Sequence, residues 1–314
     1  MILKYIARRL LNGVIAVLLI ISIAFFVIRL IPGDPVDIWL GDYATPQLIE
    51  HVTQLWGLDR PIYEQYGIFL WQLAHGNLGT SLRASAPVTG LIREVFPYTI
   101  RLMLAGIVIS VVFGIVLGAF AAVRHNSARD IVTMIVSMAF VSIPGFLMGY
   151  ILLYLLGVKA RAFPLIGGED GWNLVSMWKH LTLPALSLGL AFAGTIARMT
   201  RSTMIEMLNT DFVRTARSKG LKESVVVYRH ALRNTLTSVV SLIGVQIIVM
   251  LGGLVVTETV FSRPGLGRLY FTGVSARDYP LIQGCILVIA LSVVVVTLVV
   301  DVSYGLIDPR IRYD

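Results

Sequence analysis

Charged residues are scarce in this chain. Of its 314 residues, 14% are charged and 56% are apolar, and the mean hydropathy is +0.81. A soluble globular domain is about a quarter charged. Because a chain this apolar cannot hide its surface in one soluble core, the composition predicts a membrane protein.

Cysteine and phosphate-binding loops are almost absent as well. Cys285 is the single cysteine, which excludes an internal disulfide, and its apolar surroundings indicate a buried thiol. No glycine-rich loop ends in Lys-Ser or Lys-Thr, so this chain is not expected to bind and hydrolyse ATP by that route. Lys4, Arg8 and Arg9 precede an apolar run too long for a typical signal peptide, which indicates a retained anchor.

Ionisable side chains are missing from the middle of the apolar runs. A proton- or sodium-driven carrier usually needs an ionisable relay at this depth, so its absence disfavours such a carrier. It also removes the acid, base and nucleophile that an intramembrane enzyme would require. The five histidines lie far apart in the sequence, and none pairs with another His or Cys at ligand spacing, so no metal site is expected. The net charge of +8 comes from residues at membrane edges, which does not favour nucleic acid.

Six apolar runs of about 20 residues each predict an all-α membrane protein with six transmembrane helices. They cover roughly residues 10–30, 100–123, 131–156, 181–197, 236–256 and 281–300. Pro144-Gly145 interrupts the third run and predicts a kink there. A long polar segment, 31–99, opens with the turn Pro32-Gly33-Asp34-Pro35 and is expected to hold two amphipathic helices, near 46–56 and 61–74.

The distribution of Lys and Arg predicts the orientation. With the N-terminus inside, fifteen of the 26 basic residues face the cytoplasm and eleven lie outside. An even number of crossings then returns the C-terminus to the cytoplasm. Gln246 is the main strongly polar side chain deep in a run, where it is a candidate for lining a passage or for hydrogen bonding between helices.

Residues 209–234 form a basic stretch between two runs and are predicted to fold as two short helices. Phe212, Val213 and Ala216 are expected on one face of the first helix. Gly220 is expected to end that helix and Ser224 to cap the second. In the second helix the apolar positions are Val225, Tyr228, Leu232 and Leu236. A basic loop that merely follows the positive-inside rule is the competing interpretation.

The same stretch resembles a known loop. Arg214-Thr215-Ala216-Arg217-Ser218-Lys219-Gly220-Leu221, followed by Arg229-His230-Ala231-Leu232-Arg233-Asn234, is similar to the cytoplasmic coupling loop of ABC-importer permeases of the dipeptide, oligopeptide, glutathione and nickel branch. Arg214 and Thr215 replace the Glu and first Ala of the wider superfamily, whereas Ala216 and Gly220 keep their spacing. A proline that this branch often shows near position 237 is absent.

Motifs elsewhere extend the resemblance over nearly the whole chain. They are Gly57-Leu58-Asp59-Arg60-Pro61-Ile62-Tyr63-Glu64-Gln65-Tyr66, Asn77-Leu78-Gly79-Thr80-Ser81, Pro264-Gly265-Leu266-Gly267-Arg268, Arg277-Asp278-Tyr279-Pro280-Leu281-Ile282-Gln283 and Asp308-Pro309-Arg310-Ile311-Arg312. The glycines and prolines are expected to build rigid outer turns that a soluble partner could recognise, although a merely structural turn explains any single one equally well.

The resemblance implies a type I ABC importer permease in a bacterial plasma membrane, with both termini cytoplasmic. Its implied partners are a second, homologous permease, two ATPase subunits that hold ATP and magnesium, and an external substrate-binding protein; this chain would hold no cofactor. We expect residues 1–98 to contain the first span and the external segment, and 99–314 the permease core. The implied ATPase-coupling residues are Arg214, Thr215, Ala216, Arg217, Lys219, Gly220 and Leu221, and the candidate binding-protein contacts are Pro264, Gly265, Gly267 and Arg268.

The cargo stays open at this point. Short peptides are the branch's commonest cargo, and glutathione or nickel chelates are the alternatives. A channel or secondary carrier without ATPase partners, and a membrane anchor with no passage, are the interpretations from other functional classes.

Overall fold

The computed structural model describes residues 2–30, 35–168 and 173–307, and this part of the chain is nearly all-helical. The helices in chain order are α1 (Ile2–Leu30), α2 (Pro35–Leu40), α3 (Pro46–Leu55), α4 (Ile62–Ala74), α5 (Val88–Val123), α6 (Ala128–Ser142), α7 (Gly145–Leu152), α8 (Leu174–Leu208), α9 (Asp211–Ser218), α10 (Glu223–Val225), α11 (Arg233–Val260), α12 (Leu266–Ala276) and α13 (Tyr279–Ile307). A 3₁₀ turn covers Gly41–Tyr43, and π-helical segments cover Leu153–Lys159 and Val226–Leu232. Most of the predicted turn at Pro32–Pro35 and the motif from Asp308 to Arg312 lie outside the described residues.

Five helices in the described ranges are long and apolar enough to cross a membrane, and a bent pair forms a sixth crossing if it counts as one. The six-helix prediction therefore agrees with the structure. Both predicted amphipathic helices of the segment between the first two crossings are also confirmed, as α3 and α4. Local signals fix where helices begin: the Thr45 hydroxyl accepts the amide of Leu48, and the Asn173 side chain accepts the amides of Val175 and Ser176.

The kink predicted in the third crossing is a complete break. α6 and α7 meet at 106°, with Ile143 extended and Pro144 directly before the second helix. Proline disfavours the helical conformation of the residue before it, which explains why the break falls at Ile143. The Gly145 carbonyl accepts a hydrogen bond from the Ser187 hydroxyl on α8 (3.0 Å), which holds the second half in place.

The described residues divide into two compact units, one from Met1–Thr99 and Pro264–Val295 and the other from Ile100–Arg263 and Val296–Asp314. The predicted division into residues 1–98 and 99–314 stays a prediction; in the structure, residues 264–295 pack with the N-terminal residues. In the first unit α4 runs antiparallel to α1. Val17 and Ile21 of α1 pack there with Leu73 of α4 and Ala290 of α13.

The second unit is built around α8, which packs against α5, α6, α7 and α11. Glycines permit the close approach. A Cβ built on Gly118 would meet the Ala197 carbonyl and the Thr200 side chain, and one on Gly194 would collide with the Ser137 carbonyl oxygen on α6. Small residues at such crossings let helix backbones come into van der Waals contact in a membrane.

We expect Gly194→Ala to destabilise this unit. The added methyl would press on a backbone carbonyl, which cannot rotate away as a side chain can, so α6 and α8 must separate. Overpacking of this kind costs about 1–3 kcal/mol. The measurement is membrane abundance together with the thermal unfolding temperature of the detergent-purified protein.

Gly252→Ala is the matched control for that prediction. Gly252 lies within α11, and nothing comes within 4 Å of a Cβ built on it. The same chemical change should therefore leave abundance and unfolding temperature unchanged. Equal behaviour of the two variants would contradict the close contact of α6 with α8.

Candidate functional site

The basic stretch at 209–234 folds as the predicted hairpin of two short helices. The first is α9, which ends at Ser218, and the second is α10 with the π-helical segment Val226–Leu232, which runs directly into α11. Gly220 has φ +73° and lies between them, so the prediction that it ends the first helix is confirmed. A left-handed conformation there reverses the chain, and glycine adopts it without a steric penalty.

Two details of the predicted hairpin are wrong. The second helix begins at Glu223 after Lys222, and no side chain caps it, so Ser224 does not have the predicted role. Phe212 was expected on the buried face of α9 but is 43% exposed, whereas Val213 and Ala216 are buried as predicted. With only eight residues, α9 buries a narrow stripe that Phe212 lies beside.

The buried face of the second helix is also shifted from the predicted one. The structure buries Val226, Val227, Ala231 and Thr235, whereas Tyr228 is 65% exposed and Val225, Leu232 and Leu236 are partly buried. A π-helix bonds residue i to i+5 and so has a wider turn than an α-helix. The extra residue per turn rotates the face away from the period of 3.6 that the prediction assumed.

Apolar contacts fix the hairpin to the second unit. Val213, Ala216 and Val226 form a small cluster that joins the two helices to each other. Val227 packs with Ala119 and Ala122 of α5 and with Met204 of α8. The hairpin therefore rests on the ends of two long helices, and a displacement of the hairpin would be transmitted to both. Ala216 faces the second helix, and its predicted contact with an ATPase stays a prediction.

An ion pair spans the bend of the hairpin. Arg217 donates through Nη2 to Glu223 Oε1 (2.7 Å) and through Nε to Oε2 (3.2 Å), a two-point geometry that fixes direction as well as distance. The carboxylate raises the pKa of the Arg217 guanidinium above its usual value, mainly through this hydrogen bond. Arg217 was predicted to contact a partner protein, and this pair was not predicted, although the opposite charges are only six residues apart.

We expect Arg217→Glu to reduce transport by loosening this bend. Exposed ion pairs contribute about 0.2–1 kcal/mol, so a decrease of roughly two- to five-fold in uptake is expected. Exchange of the charges in Arg217→Glu combined with Glu223→Arg should restore most of the activity. Should the double variant be as impaired as the single one, Arg217 acts on another protein and not on Glu223.

The outer surface of the hairpin carries both charge and apolar side chains. Of the predicted coupling residues, Arg214, Thr215, Arg217, Lys219, Gly220 and Leu221 are exposed and Ala216 is buried. Phe212, Leu221 and Tyr228 expose large apolar groups beside these cations. Exposed aromatic residues flanked by arginine are typical of contact surfaces between proteins. Phe212 and Tyr228, which sequence periodicity placed on the buried face, thus lie exposed beside the predicted coupling residues.

A buried ion pair lies close to the hairpin in the same unit. Arg201 of α8 binds Asp130 of α6 at two points, Nε to Oδ1 (2.6 Å) and Nη2 to Oδ2 (2.7 Å), and Asp130 also accepts the Asn126 amide (3.0 Å). The Asp130 side chain is almost fully buried and that of Arg201 is about a quarter exposed. Asp130 and Arg201 are 71 positions apart in the sequence, so no local sequence pattern indicated that they pair.

Two of the sequence motifs in the first unit meet at one carboxylate. Asp278 is buried, accepts the Ser81 hydroxyl (2.6 Å) and the Arg83 amide (3.1 Å) through Oδ2, and accepts the Leu281 amide through Oδ1 (3.2 Å). The Asn77–Ser81 and Arg277–Gln283 motifs are thereby tied together at the start of α13. Among the candidate binding-protein contacts, Gly265 and Gly267 are buried, Pro264 is partly buried and Arg268 is exposed; their contact with a partner stays a prediction.

Gln246 lies on the face of α11 that carries Met250 one turn later and is buried. Its Oε1 atom has no hydrogen-bond partner within the described chain. A buried amide oxygen without a donor is costly, and a donor from water or from another chain would offset that cost. Both earlier interpretations, hydrogen bonding to another helix and lining of a passage, stay predictions. No cluster of three or more His, Cys, Asp or Glu side chains within the described ranges could hold a metal ion.

Two known protein families match this chain, each over a different part of it. Residues 114–313 match the family described as "Binding-protein-dependent transport system inner membrane component". Residues 2–105 match its companion, described as "Binding-prot-dependent transport system membrane comp, N-term". Together they cover almost every residue, and the hairpin lies within the first of them.

Relatives and solved structures agree with these matches. The chain is 39% identical over 312 residues to the glutathione transport system permease protein GsiC of Escherichia coli strain K12, covering 99% of each chain. It is 39% identical over 311 residues to GsiC of Salmonella choleraesuis strain SC-B67, again over 99% of each. The fold resembles the inward-facing MetNI methionine ABC transporter, with a TM-score of 0.56 and 16% identity over 70% of this chain and 97% of that one.

Proposed function

This chain belongs to the family of binding-protein-dependent transport system inner membrane components and is the permease subunit of an ABC importer; we propose that it moves short peptides across the bacterial inner membrane by alternating access. ATP hydrolysis is supplied by separate subunits in an importer of this kind. The observation that carries the mechanistic part of the proposal is the hairpin at 209–234, which is exposed on one side and anchored in the long helices on the other.

The hairpin is suited to act as a mechanical link. Its exposed surface presents Arg214 and Lys219 together with Phe212 and Tyr228, so it offers charge for steering and apolar area for affinity. Its buried side joins α5 and α8 through Val227. We infer that closure of the ATPase pair displaces the hairpin as one body, because the Val213–Ala216–Val226 cluster and the Arg217–Glu223 pair join its two helices.

The proposed assembly has two homologous permeases, two ATPase subunits on the cytoplasmic side and a substrate-binding protein outside. The bias of basic residues supports the orientation, with the hairpin and both termini in the cytoplasm. In that orientation Arg268 and the segment around it lie on the outer side, where a binding protein docks. Cysteine labelling of Lys219→Cys and Arg268→Cys from each side of the membrane tests this topology.

Two cargoes have support. Short peptides are proposed because they are the commonest cargo of the branch that the coupling loop resembles. Glutathione is the second candidate, since the GsiC proteins at 39% identity are named for its transport. The two are chemically related, because glutathione is a tripeptide with one γ-linked bond. The described helices alone offer no side-chain set that distinguishes between them.

Uptake in a strain that lacks the importer decides between the cargoes. Labelled dipeptide, labelled glutathione and ⁶³Ni would each be supplied to the deletion strain with and without the restored operon. Restoration of dipeptide uptake supports the main proposal, restoration of glutathione uptake alone supports the second candidate, and restoration of nickel uptake alone contradicts both.

Nucleotide dependence separates this function from the other classes. Proteoliposomes would be prepared with the complete complex and its binding protein. They should accumulate cargo only when ATP is present on the side of the membrane where the ATPase subunits lie. Accumulation without nucleotide would indicate a channel or a secondary carrier. ATP hydrolysis that does not respond to cargo-loaded binding protein would indicate a membrane anchor without a passage.

A further inference from the structure

The first unit contains a cavity of about 610 Å³ that the transport mechanism does not use. It lies between the end of α1, the length of α4 and the beginning of α13, with α3 and the segment 77–85 completing its wall, and its volume is within the range of about 300–1,000 Å³ for small-molecule sites. Arg29 and Arg60 line it, and none of its described lining residues is acidic. We propose that this cavity binds an anionic phospholipid, with the head group at Arg29 and Gln283 and an acyl chain along Phe69, Leu73 and Leu287.

The side-chain amide of Gln283 lines the cavity and has an unused hydrogen-bond donor. Gln283 is 8% exposed, and its Nε2 atom is buried without a hydrogen-bond partner in the described chain. A buried N–H group in this state costs free energy unless a ligand satisfies it. An oxygen of a phosphodiester or of its glycerol ester would accept this hydrogen bond.

Arg29 lines the same cavity and is held in position there. Its Nε donates to Gln65 Oε1 (3.0 Å), its Nη1 donates to the Phe25 carbonyl (3.1 Å), and its Cζ lies 3.5 Å from the centre of the Phe25 ring. Gln65 is itself fixed, because its Nε2 donates to the carbonyls of Leu58 and Arg60. A positioned guanidinium on an aromatic face is a preorganised site for an anionic oxygen.

Three of the helices that line the cavity, α1, α4 and α13, carry polar residues at one end of it and apolar residues further toward the middle of α1. On α1 Arg29 is followed inward by Phe25, on α4 Gln65 is followed by Phe69, and the two pairs meet because the helices are antiparallel, with ring centres of Phe25 and Phe69 5.3 Å apart. On α13 Gln283 is followed one turn later by Leu287. Leu287 and Leu73 pack together against the middle of α1.

The apolar side chains along these three helices favour a lipid over a soluble anion, and Gln72 and Asn77 are the polar lining residues nearest to Leu73 in the sequence. The apolar end points toward the centre of the candidate span at Ala7–Leu30, which is the direction that an acyl chain takes. The neighbouring surface is apolar and exposed as well, at Phe26, Val27 and Leu30 on α1, and Ile68 is both exposed and part of the cavity wall. The cavity wall therefore includes an exposed apolar side chain at Ile68, which an acyl chain could contact from outside. The proposed topology is needed only to assign the leaflet, which would be the outer one.

Photo-crosslinking in nanodiscs tests the proposal. The complete complex would be placed in phosphatidylethanolamine nanodiscs that contain photoactivatable phosphatidylglycerol, and crosslinked peptides would be mapped by mass spectrometry. We expect labelling in residues 65–73 and 283–287, lowered about five-fold in Gln283→Leu by the loss of one hydrogen bond. Arg29→Gln should lower it at least as much. The matched controls are Gln47→Leu and Arg93→Gln, which change exposed residues of the same unit that do not line the cavity.

The following results would contradict the proposal. Equal labelling by photoactivatable phosphatidylcholine would show that charge is not recognised. A loss of labelling when millimolar short peptide or inorganic phosphate is added before irradiation would assign the cavity to a soluble anion. No labelling of the two segments, or full labelling of Gln283→Leu, would show that the cavity does not hold this lipid. Should Arg29→Gln fail to assemble, Gln283→Leu decides alone.

Discussion

Replacing Gly220 with valine is expected to abolish most ATP-driven uptake while the protein still inserts into the membrane. Gly220 has φ +73°, a conformation in which a β-branched residue is strained, and such strain costs about 1–3 kcal/mol. No neighbour lies within 4 Å of a Cβ at this position, so the effect comes from the backbone and not from a clash. The bend would open, α9 would leave its place on the second helix, and uptake should fall about ten-fold or more.

Gly220→Asn is the control for this prediction. Asparagine tolerates the left-handed region better than other residues that carry a Cβ, so this variant should keep most of its uptake. Membrane abundance, cargo uptake and ATP hydrolysis by the purified complex would be measured side by side. Normal uptake by Gly220→Val at normal abundance would remove the hairpin from the transport mechanism.

Replacing Asp130 with alanine is expected to have the largest effect on stability. Arg201 would lose both of its hydrogen bonds to the carboxylate, and the Asn126 amide would lose its acceptor. Removal of one partner from a fully buried ion pair costs about 3–5 kcal/mol; because Arg201 is about a quarter exposed, roughly 2–4 kcal/mol is expected. The thermal unfolding temperature of the purified complex and its membrane abundance should both fall.

The pair Asp211–Arg214 offers a comparison within the same chain. It has the same chemistry at 3.4 Å, but both side chains are largely exposed. Asp211→Ala should therefore change stability by no more than about 0.5 kcal/mol. A similar loss in the two variants would show that Asp130 acts through something other than burial of its ion pair.

The predictions that held depend on residues close together in the sequence. Apolar runs of sufficient length fixed the crossings, because a chain in lipid must satisfy its backbone hydrogen bonds within each segment. Gly220 indicated the bend of the hairpin because few other residues adopt its conformation. Pro144 likewise indicated the interruption of the third crossing, although not its angle of 106°.

The predictions that failed assumed a regular period. The face of the second hairpin helix was wrong because Val226–Leu232 is π-helical, and π-helical turns carry no sequence signal comparable to the apolar repeat of an α-helix. The prediction that Phe212 is buried was wrong because the buried face of a short helix depends on what packs against it. The capping role predicted for Ser224 was wrong because the second helix already begins at Glu223, after Lys222, and no side chain caps it.

By itself the sequence determined that this is a membrane protein with about six helical crossings, a basic hairpin between two of them and the family to which it belongs. These features follow from composition and from local conformational preference. The tertiary structure alone decided which distant residues meet: Arg201 with Asp130, Ser81 with Asp278, and Arg29 with Gln65. Such contacts depend on how helices pack through their glycines and apolar faces, and no spacing along the chain encodes that packing.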